Sequence, residues 1–218
     1  MFKNRKDAGE KLSIALEKYR RENPLILAIP RGGVEVGLQV AKNLSADFSL
    51  LIARKLPFPD NPEAGFGAIA EDGSTFIFEN ARYWLSGKTL KQIENQQIAE
   101  IERRVKALRG GNPLPEISGR TVILIDDGIA MGSTMRAAIE LCKKRKAKRI
   151  VVAVPVAGRE VAEEIRKRVD ELIVLEIPAN FRAVADAYEK WYDVSDEEVL
   201  DLLREKILEK ELKNHDFD

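Results

Sequence analysis

The 218-residue sequence contains a single cysteine, Cys142, and a single histidine, His215. An internal disulfide framework is therefore excluded, and so is a zinc site built from Cys and His ligands. No apolar run approaches the length of about 20 residues that a membrane span needs. The opening stretch, Met1-Phe-Lys-Asn-Arg-Lys-Asp, is charged and lacks the apolar centre of a secretory signal, so a cytoplasmic location is expected. Charge of one sign is missing too: 36 Lys+Arg balance 36 Asp+Glu, for a net charge of zero. Proteins held on nucleic acid ordinarily carry a basic surplus, so nucleic acid is not the expected partner.

What is present is an alternation of short apolar runs with helical periods. Residues 5–22 repeat Ala8, Leu12, Ala15, Leu16 and Tyr19 at helical spacing, and Asn23-Pro24 ends the pattern. Leu25 to Ile29, Phe48 to Ala53, Thr121 to Ile125, Arg149 to Pro155 and Glu171 to Ile177 are apolar runs of strand length. Helical patterns follow at 34–44, 133–145 and 159–168, and a last helix opens at Ser195 before Asp196, Glu197 and Glu198. Such a chain is expected to fold as one α/β domain over 1–218, a mainly parallel sheet flanked by helices. Ala68 to Glu71 and Ser74 to Phe78 around Asp72-Gly73 predict a hairpin, a small hood. Residues 88–109 predict an inserted long helix. The stretch 54–67, with Pro57, Pro59 and Pro62, is expected to be a mobile loop.

The chemistry concentrates where Val122-Ile-Leu-Ile125 runs into Asp126-Asp127-Gly128-Ile129-Ala130-Met131-Gly132-Ser133-Thr134. A buried strand delivers two carboxylates at its carboxyl end, where ligands of open α/β sheets bind. A small-residue loop and a helix start follow. Backbone N–H groups and the helix dipole there favour an anion, and Ser133 and Thr134 add hydroxyl donors. Carboxylates for hydroxyls beside a cradle for phosphate suit a ribose 5-phosphate.

This stretch resembles the signature of the type I phosphoribosyltransferases, which bind 5-phosphoribosyl-1-pyrophosphate (PRPP). The resemblance implies that Asp126 and Asp127 meet the ribose hydroxyls and that Ala130 to Thr134 hold the 5′-phosphate. It implies that Pro30-Arg31-Gly32-Gly33 binds pyrophosphate, and that the loop starting Arg54-Lys55 closes over it. On this reading Arg31, Lys55, Asp126 and Asp127 are catalytic. Mg²⁺ is the implied cofactor, held indirectly by Asp126 and Asp127 through PRPP and water. The segment Pro178 to Tyr192 is the expected surround of a nitrogen acceptor, with Phe181 and Tyr188 in contact with it. Phe2-Lys-Asn-Arg5-Lys-Asp-Ala8-Gly9 and Phe181 to Tyr188 further resemble a group of stand-alone predicted phosphoribosyltransferases. The signature is departed from at three places: Met131 stands where Thr is usual, Gly128 where an apolar residue is usual, and Ala130 where 6-oxopurine enzymes carry a carboxylate. The last argues against hypoxanthine or guanine as acceptor. Family habit implies a homodimer.

Other readings stay open. A PRPP or nucleotide sensor without turnover would use the same loop, and an Asp-based phosphohydrolase would use only the strand, Asp and loop. Arg54 and Lys55 could be solvated loop cations, and Phe181 could be core. Arg103, Arg104, Lys106 and Arg109 read as a solvated helix face, with a basic partner surface as the alternative. Cys142 reads as small core packing.

Overall fold

The computed structural model describes residues 1–215; the side chains of Glu63, Arg82, Trp84 and 206–215, and residues 216–218, lie outside the described residues. Helix α1 (Arg5–Ala15) precedes β1 (Leu25–Ala28), α2 (Gly33–Leu44) and β2 (Asp47–Leu50). Next come β3 (Ala53–Phe58), β4 (Asn61–Ala70), β5 (Thr75–Ile77), the short α3 (Ala81–Trp84) and α4 (Gly87–Arg109). The second half runs β6 (Thr121–Ile125), α5 (Ser133–Lys144), β7 (Arg149–Val156), α6 (Arg159–Arg166), β8 (Glu171–Glu176) and α7 (Asp196–His215).

Five strands pair in the order β2-β1-β6-β7-β8, every pair parallel. A sheet covered on both faces needs strands apolar on both sides, which is why β1 and β6 are buried along their whole length. The two faces separate by alternation. Ile26, Ile123, Ile125, Val151 and Ala153 pack with α1 and α2. Leu25, Leu27, Val122, Leu124, Val152 and Val154 pack with α5 and α6. Beyond β2, a third cluster joins Val34 and Leu38 of α2 to Leu56, Phe66, Ile101, Leu108 and Val199. No helix among the described residues is long and apolar enough to cross a membrane.

The expected loop at 54–67 is instead most of an antiparallel hairpin. Strands β3 and β4 pair from Ala53↔Ala70 to Phe58↔Asn61, and β5 adds to β4. Three prolines pointed away from strand, but they fall where strands tolerate them. β3 is an edge strand, and Pro57 sits at a shift of register, where a missing N–H costs no ladder bond. Leu56, Phe66, Ala68 and Ile69 are buried and anchor the hairpin. The predicted helix 5–22 also divides, into α1 and a 3₁₀ segment over Glu17–Glu22.

Candidate active site

Strand β6 ends at Ile125, and Asp126 and Asp127 follow at its carboxyl edge, beside the loop that leaves β1. The two loops interlock. A Cβ placed on Gly32 would fall 1.8 Å from Asp127 Oδ2, so only glycine lets the Pro30–Gly33 loop lie against that carboxylate. The Pro30–Arg31 peptide is cis. The Asp127 N–H donates to Asp126 Oδ1 at 2.9 Å, and the Asp127 carbonyl accepts the Tyr188 hydroxyl at 2.6 Å.

Downstream, the Ile129 N–H donates to the Val156 carbonyl at 2.9 Å, which pins the loop to the end of β7. Gly132 has φ +72°, a left-handed geometry natural to glycine, and turns the chain into α5. The first amides of a helix lack intrahelical acceptors, so Gly132, Ser133 and Thr134 present donors at a positive dipole end. Arg136 secures this turn. It is 1% exposed, donates to the Met131 carbonyl at 2.8 Å, pairs with Glu164 and lies over Phe76 at 4.8 Å.

Arg5 meets the acid pair from below. Its Nε donates to Asp127 Oδ2 at 2.8 Å, and its second nitrogen donates to the Tyr192 carbonyl at 3.0 Å. Its guanidinium stacks on Trp191, 4.1 Å from the ring centroid. Both partners of the Arg5–Asp127 pair are largely shielded from water. Desolvation, with repulsion from Asp127 behind it, raises the Asp126 carboxyl well above the usual carboxylate range. Desolvation raises Asp127 as well, while Arg5 pulls against it. Burial, then the nearby Asp127 charge, raises the Tyr188 phenol, so it remains a neutral donor. Glu35 on α2 is also raised by burial, opposed by Arg5 and Lys6.

The predicted residues divide by placement. Arg31, Gly32, Asp126, Asp127 and the segment Gly128 to Thr134 converge on the carboxyl edges of β1 and β6. Two amides are committed elsewhere: the Gly33 N–H donates to Ile29 at 3.2 Å, and that of Ile129 to Val156. Gly128 serves close packing, because a Cβ there would lie 2.5 Å from Val184. Met131 is exposed. Arg54 lies half-buried on β3 and donates to the Gln97 amide at 3.2 Å. The Lys55 side chain runs across Gly65 of β4, so it enters as part of the hairpin. Phe181 lies over Gly158, at the start of α6. Tyr188 corrects the expectation of an acceptor-facing ring: it is 6% exposed and packs between Phe2 and Trp191, supporting Asp127 through its hydroxyl. Trp191, beside it, keeps an open face.

A further correction concerns the basic helix. Arg104 is buried, and Arg109 forms a two-pronged pair with Glu71, at 2.8 and 2.5 Å. Arg5, Arg104 and Arg136 were all missed as site or support residues. Each falls on a buried helical stripe: Arg5 with Ala8, Gly9 and Leu12; Arg104 with Ile101 and Leu108; Arg136 with Met135 and Ile139. An arginine in register with an apolar stripe is the signal that identifies them.

Among the described residues, no three His, Cys, Asp or Glu side chains gather as a metal cage. The two adjacent carboxylates nonetheless suit Mg²⁺, which prefers a few carboxylates, waters and substrate phosphates over an all-protein cage. One oxygen of each is committed, Asp126 Oδ1 to an amide and Asp127 Oδ2 to Arg5.

A phosphoribosyl transferase domain model matches residues 3–189. The chain belongs to the phosphoribosyl transferase family. It is 35% identical over 205 residues, 93% of its length, to a Mycobacterium tuberculosis protein named "Putative phosphoribosyl transferase Rv0571c". The match covers 46% of that protein, so the chain spans about half the length of the curated relatives it matches. The crystal structure of TT1426 from Thermus thermophilus is 35% identical, with a TM-score of 0.80, covering 94% of this chain and 98% of that one. The mainly parallel sheet flanked by helices is shared with that structure.

Proposed function

We propose that this chain transfers the 5-phosphoribosyl group of PRPP to a nitrogen acceptor and releases pyrophosphate. The observation that carries the reading is the interlock of Asp127 with Gly32 and of Asp126 with Gly33, one step from the glycine turn that opens α5. It sets carboxylates for ribose hydroxyls between two anion-binding loops.

In this reading the Gly132 to Thr134 amides and hydroxyls hold the 5′-phosphate, and Arg136 keeps their turn in place. Asp126 and Asp127 accept the ribose 2′- and 3′-hydroxyls. The C1–oxygen bond to diphosphate stretches first, and its electron pair leaves with the diphosphate. Positive charge then grows on the ribose ring, which the acid pair stabilises electrostatically. Arg31 and the Gly32 loop meet the leaving anion. The β3–β4 hairpin brings Lys55 toward that anion and shields the ribose cation from water. The acceptor nitrogen supplies the pair for the new C1–N bond, with Phe181 and Trp191 offering faces for a flat ring. Asp126 and Asp127 would hold Mg²⁺ through water, and the ion would supply positive charge to screen the leaving diphosphate. Ala130 has no carboxylate to handle a base proton, which supports an acceptor other than a 6-oxopurine. The chain acts as a single domain, a cytoplasmic homodimer in this proposal.

The test is pyrophosphate release from PRPP and Mg²⁺ across a panel of nucleobases and small nitrogen compounds. Release with one acceptor, lost in Asp127→Asn, supports transfer. PRPP binding without release for any acceptor would favour a sensor.

A further inference from the structure

The inserted helix α4 was expected to carry a solvated basic face. Two of its arginines instead turn toward the pyrophosphate loop and the start of β3. Arg103 and Arg104 share the carboxylate of Glu100: Arg103 Nε to Oε2 at 2.7 Å, its terminal nitrogen to Oε1 at 3.0 Å, and Arg104 Nε to Oε1 at 2.9 Å. Arg103 also donates to Asp196 Oδ2 at 2.9 Å, at the first residue of α7. The other oxygen of that carboxylate, Oδ1, lies 3.7 Å from Arg31 and is a buried atom with no hydrogen-bond partner among the described residues. One carboxylate therefore spans α4 and the pyrophosphate loop, and holds Arg31 only loosely.

Arg54 completes the group. It bonds the neutral amide of Gln97, one turn before Glu100 on α4. Burial, then the positive charges of Arg104, Arg31 and Arg103, disfavour its charged form, with Glu100 opposing them. Arg31, Arg103 and Arg104 thus meet two carboxylates, Arg54 lies beside them on Gln97, and Glu198 is within electrostatic reach of Arg31, so four guanidinium groups face three carboxylates and a local surplus of positive charge remains. Arginine stays charged in proteins, so the surplus persists at neutral pH, and two of the four, Arg31 and Arg103, remain open to solvent. A plain helix-stabilising pair needs one cation for one anion. A surplus of planar forks beside an anion-binding loop matches the recognition of phosphate oxygens.

We propose that Arg31, Arg54, Arg103 and Arg104 form a subsite for a doubly charged phosphate group, filled by the distal phosphate of the PRPP diphosphate. The inference rests on the phosphoribosyl-transfer reading and deepens it. The inserted helix becomes part of the leaving-group site, and Asp196 and Glu100 are the internal anions that orient its arginines. Arg103 and Arg104 bind the anion without touching the ribose or its 5′-phosphate.

The test titrates inorganic pyrophosphate, with magnesium present, into wild type, Arg103→Gln, Arg104→Gln and the double variant, using ribose 5-phosphate as the reference ligand. A hydrogen bond to a charged group contributes about 1.5–3 kcal/mol, which is about 10- to 100-fold in affinity. Each single variant should weaken pyrophosphate by about tenfold or more. Ribose 5-phosphate should hold within about twofold, and saturating PRPP should abolish pyrophosphate binding. Arg104 is buried, so Arg104→Lys serves as a conservative partner, and the half-exposed Arg103 carries the test if Arg104→Gln does not fold. Unchanged pyrophosphate affinity overturns the proposal. So does pyrophosphate binding that persists under saturating PRPP, which would mark a separate effector site. Ribose 5-phosphate failing to bind wild type would sink the phosphoribosyl reading instead, and with it the assignment to the PRPP diphosphate, even where pyrophosphate binding proved sensitive to the arginines.

Discussion

Replacing Arg5 with Gln strands Asp127 beside Asp126 with no cation in contact. Removing one partner of a buried ion pair costs about 3–5 kcal/mol, but Asp127 can escape by taking a proton. The cost of that escape is about 1.4 kcal/mol for each pH unit above the ordinary carboxylate value near 3.9. The charge penalty is thus capped at about 4 kcal/mol near pH 7 and about 2 kcal/mol near pH 5.5. The sign follows from the direction of the shift. Desolvation already raises Asp127 in the folded protein, and losing Arg5 raises it further. A group raised on folding supports the native state fully below its unfolded value, and that support is lost progressively as the pH climbs from there through its folded value. The destabilisation should therefore be present at neutral pH and fade on acidification. Loss of the Tyr192 hydrogen bond and the Trp191 stack adds about 1–2 kcal/mol at every pH. Urea unfolding of wild type and Arg5→Gln at about pH 7 and about pH 5.5 reads the difference. The charge part should halve between them, and the neutral-pH melting point should drop by roughly 8–24 °C for a total loss of about 4–6 kcal/mol. A stability difference that is the same at both pH values would refute the charge argument and leave Arg5 as a packing residue.

Asp127→Asn and Lys55→Ala should each lower pyrophosphate release by about 100-fold or more while circular dichroism stays native; near-normal rates in both would contradict their assigned roles. Arg109→Ala leaves Glu71 without its two-pronged partner and should cost about 3–5 kcal/mol in denaturant unfolding, with ribose 5-phosphate affinity unchanged. Cys142 is buried, its thiol pushed up to about 12 by burial first and Asp72 second; a thiol reagent at about pH 8 should label it only after unfolding, since the reactive form is the thiolate.

Much of the fold is legible in the order of residues because buried parallel strands leave a strong mark. Leu25 to Ala28 and Thr121 to Ile125 are apolar on both faces, and the structure buries both faces. The acid pair and its loop are equally visible, since strand, Asp126-Asp127, glycine turn and helix follow one another within fifteen residues of chain. What hides is non-local. The prolines of 54–67 suggest a loop until β4 and β5 are known to pair beside them, leaving Pro57 on an edge. Arg5 lies 122 positions from Asp127, and nothing in its neighbours announces that partner. Tyr188 reads as a ligand-facing aromatic because composition does not reveal that Phe2 and Trp191 flank its ring. Arginines carry the general difficulty. Composition places them in water by default, whereas stripe register places Arg5, Arg104 and Arg136 inside, where their forks tie loops, helices and carboxylates together.

The central claim is that Asp126, Asp127 and the turn into α5 bind PRPP. Calorimetric titration of PRPP into wild type and Asp126→Asn/Asp127→Asn, with and without Mg²⁺, addresses it most directly. The account predicts saturable binding by wild type that strengthens with Mg²⁺ and is lost in the double variant. PRPP that does not bind wild type in the presence of Mg²⁺, or that binds the double variant equally well, would contradict it.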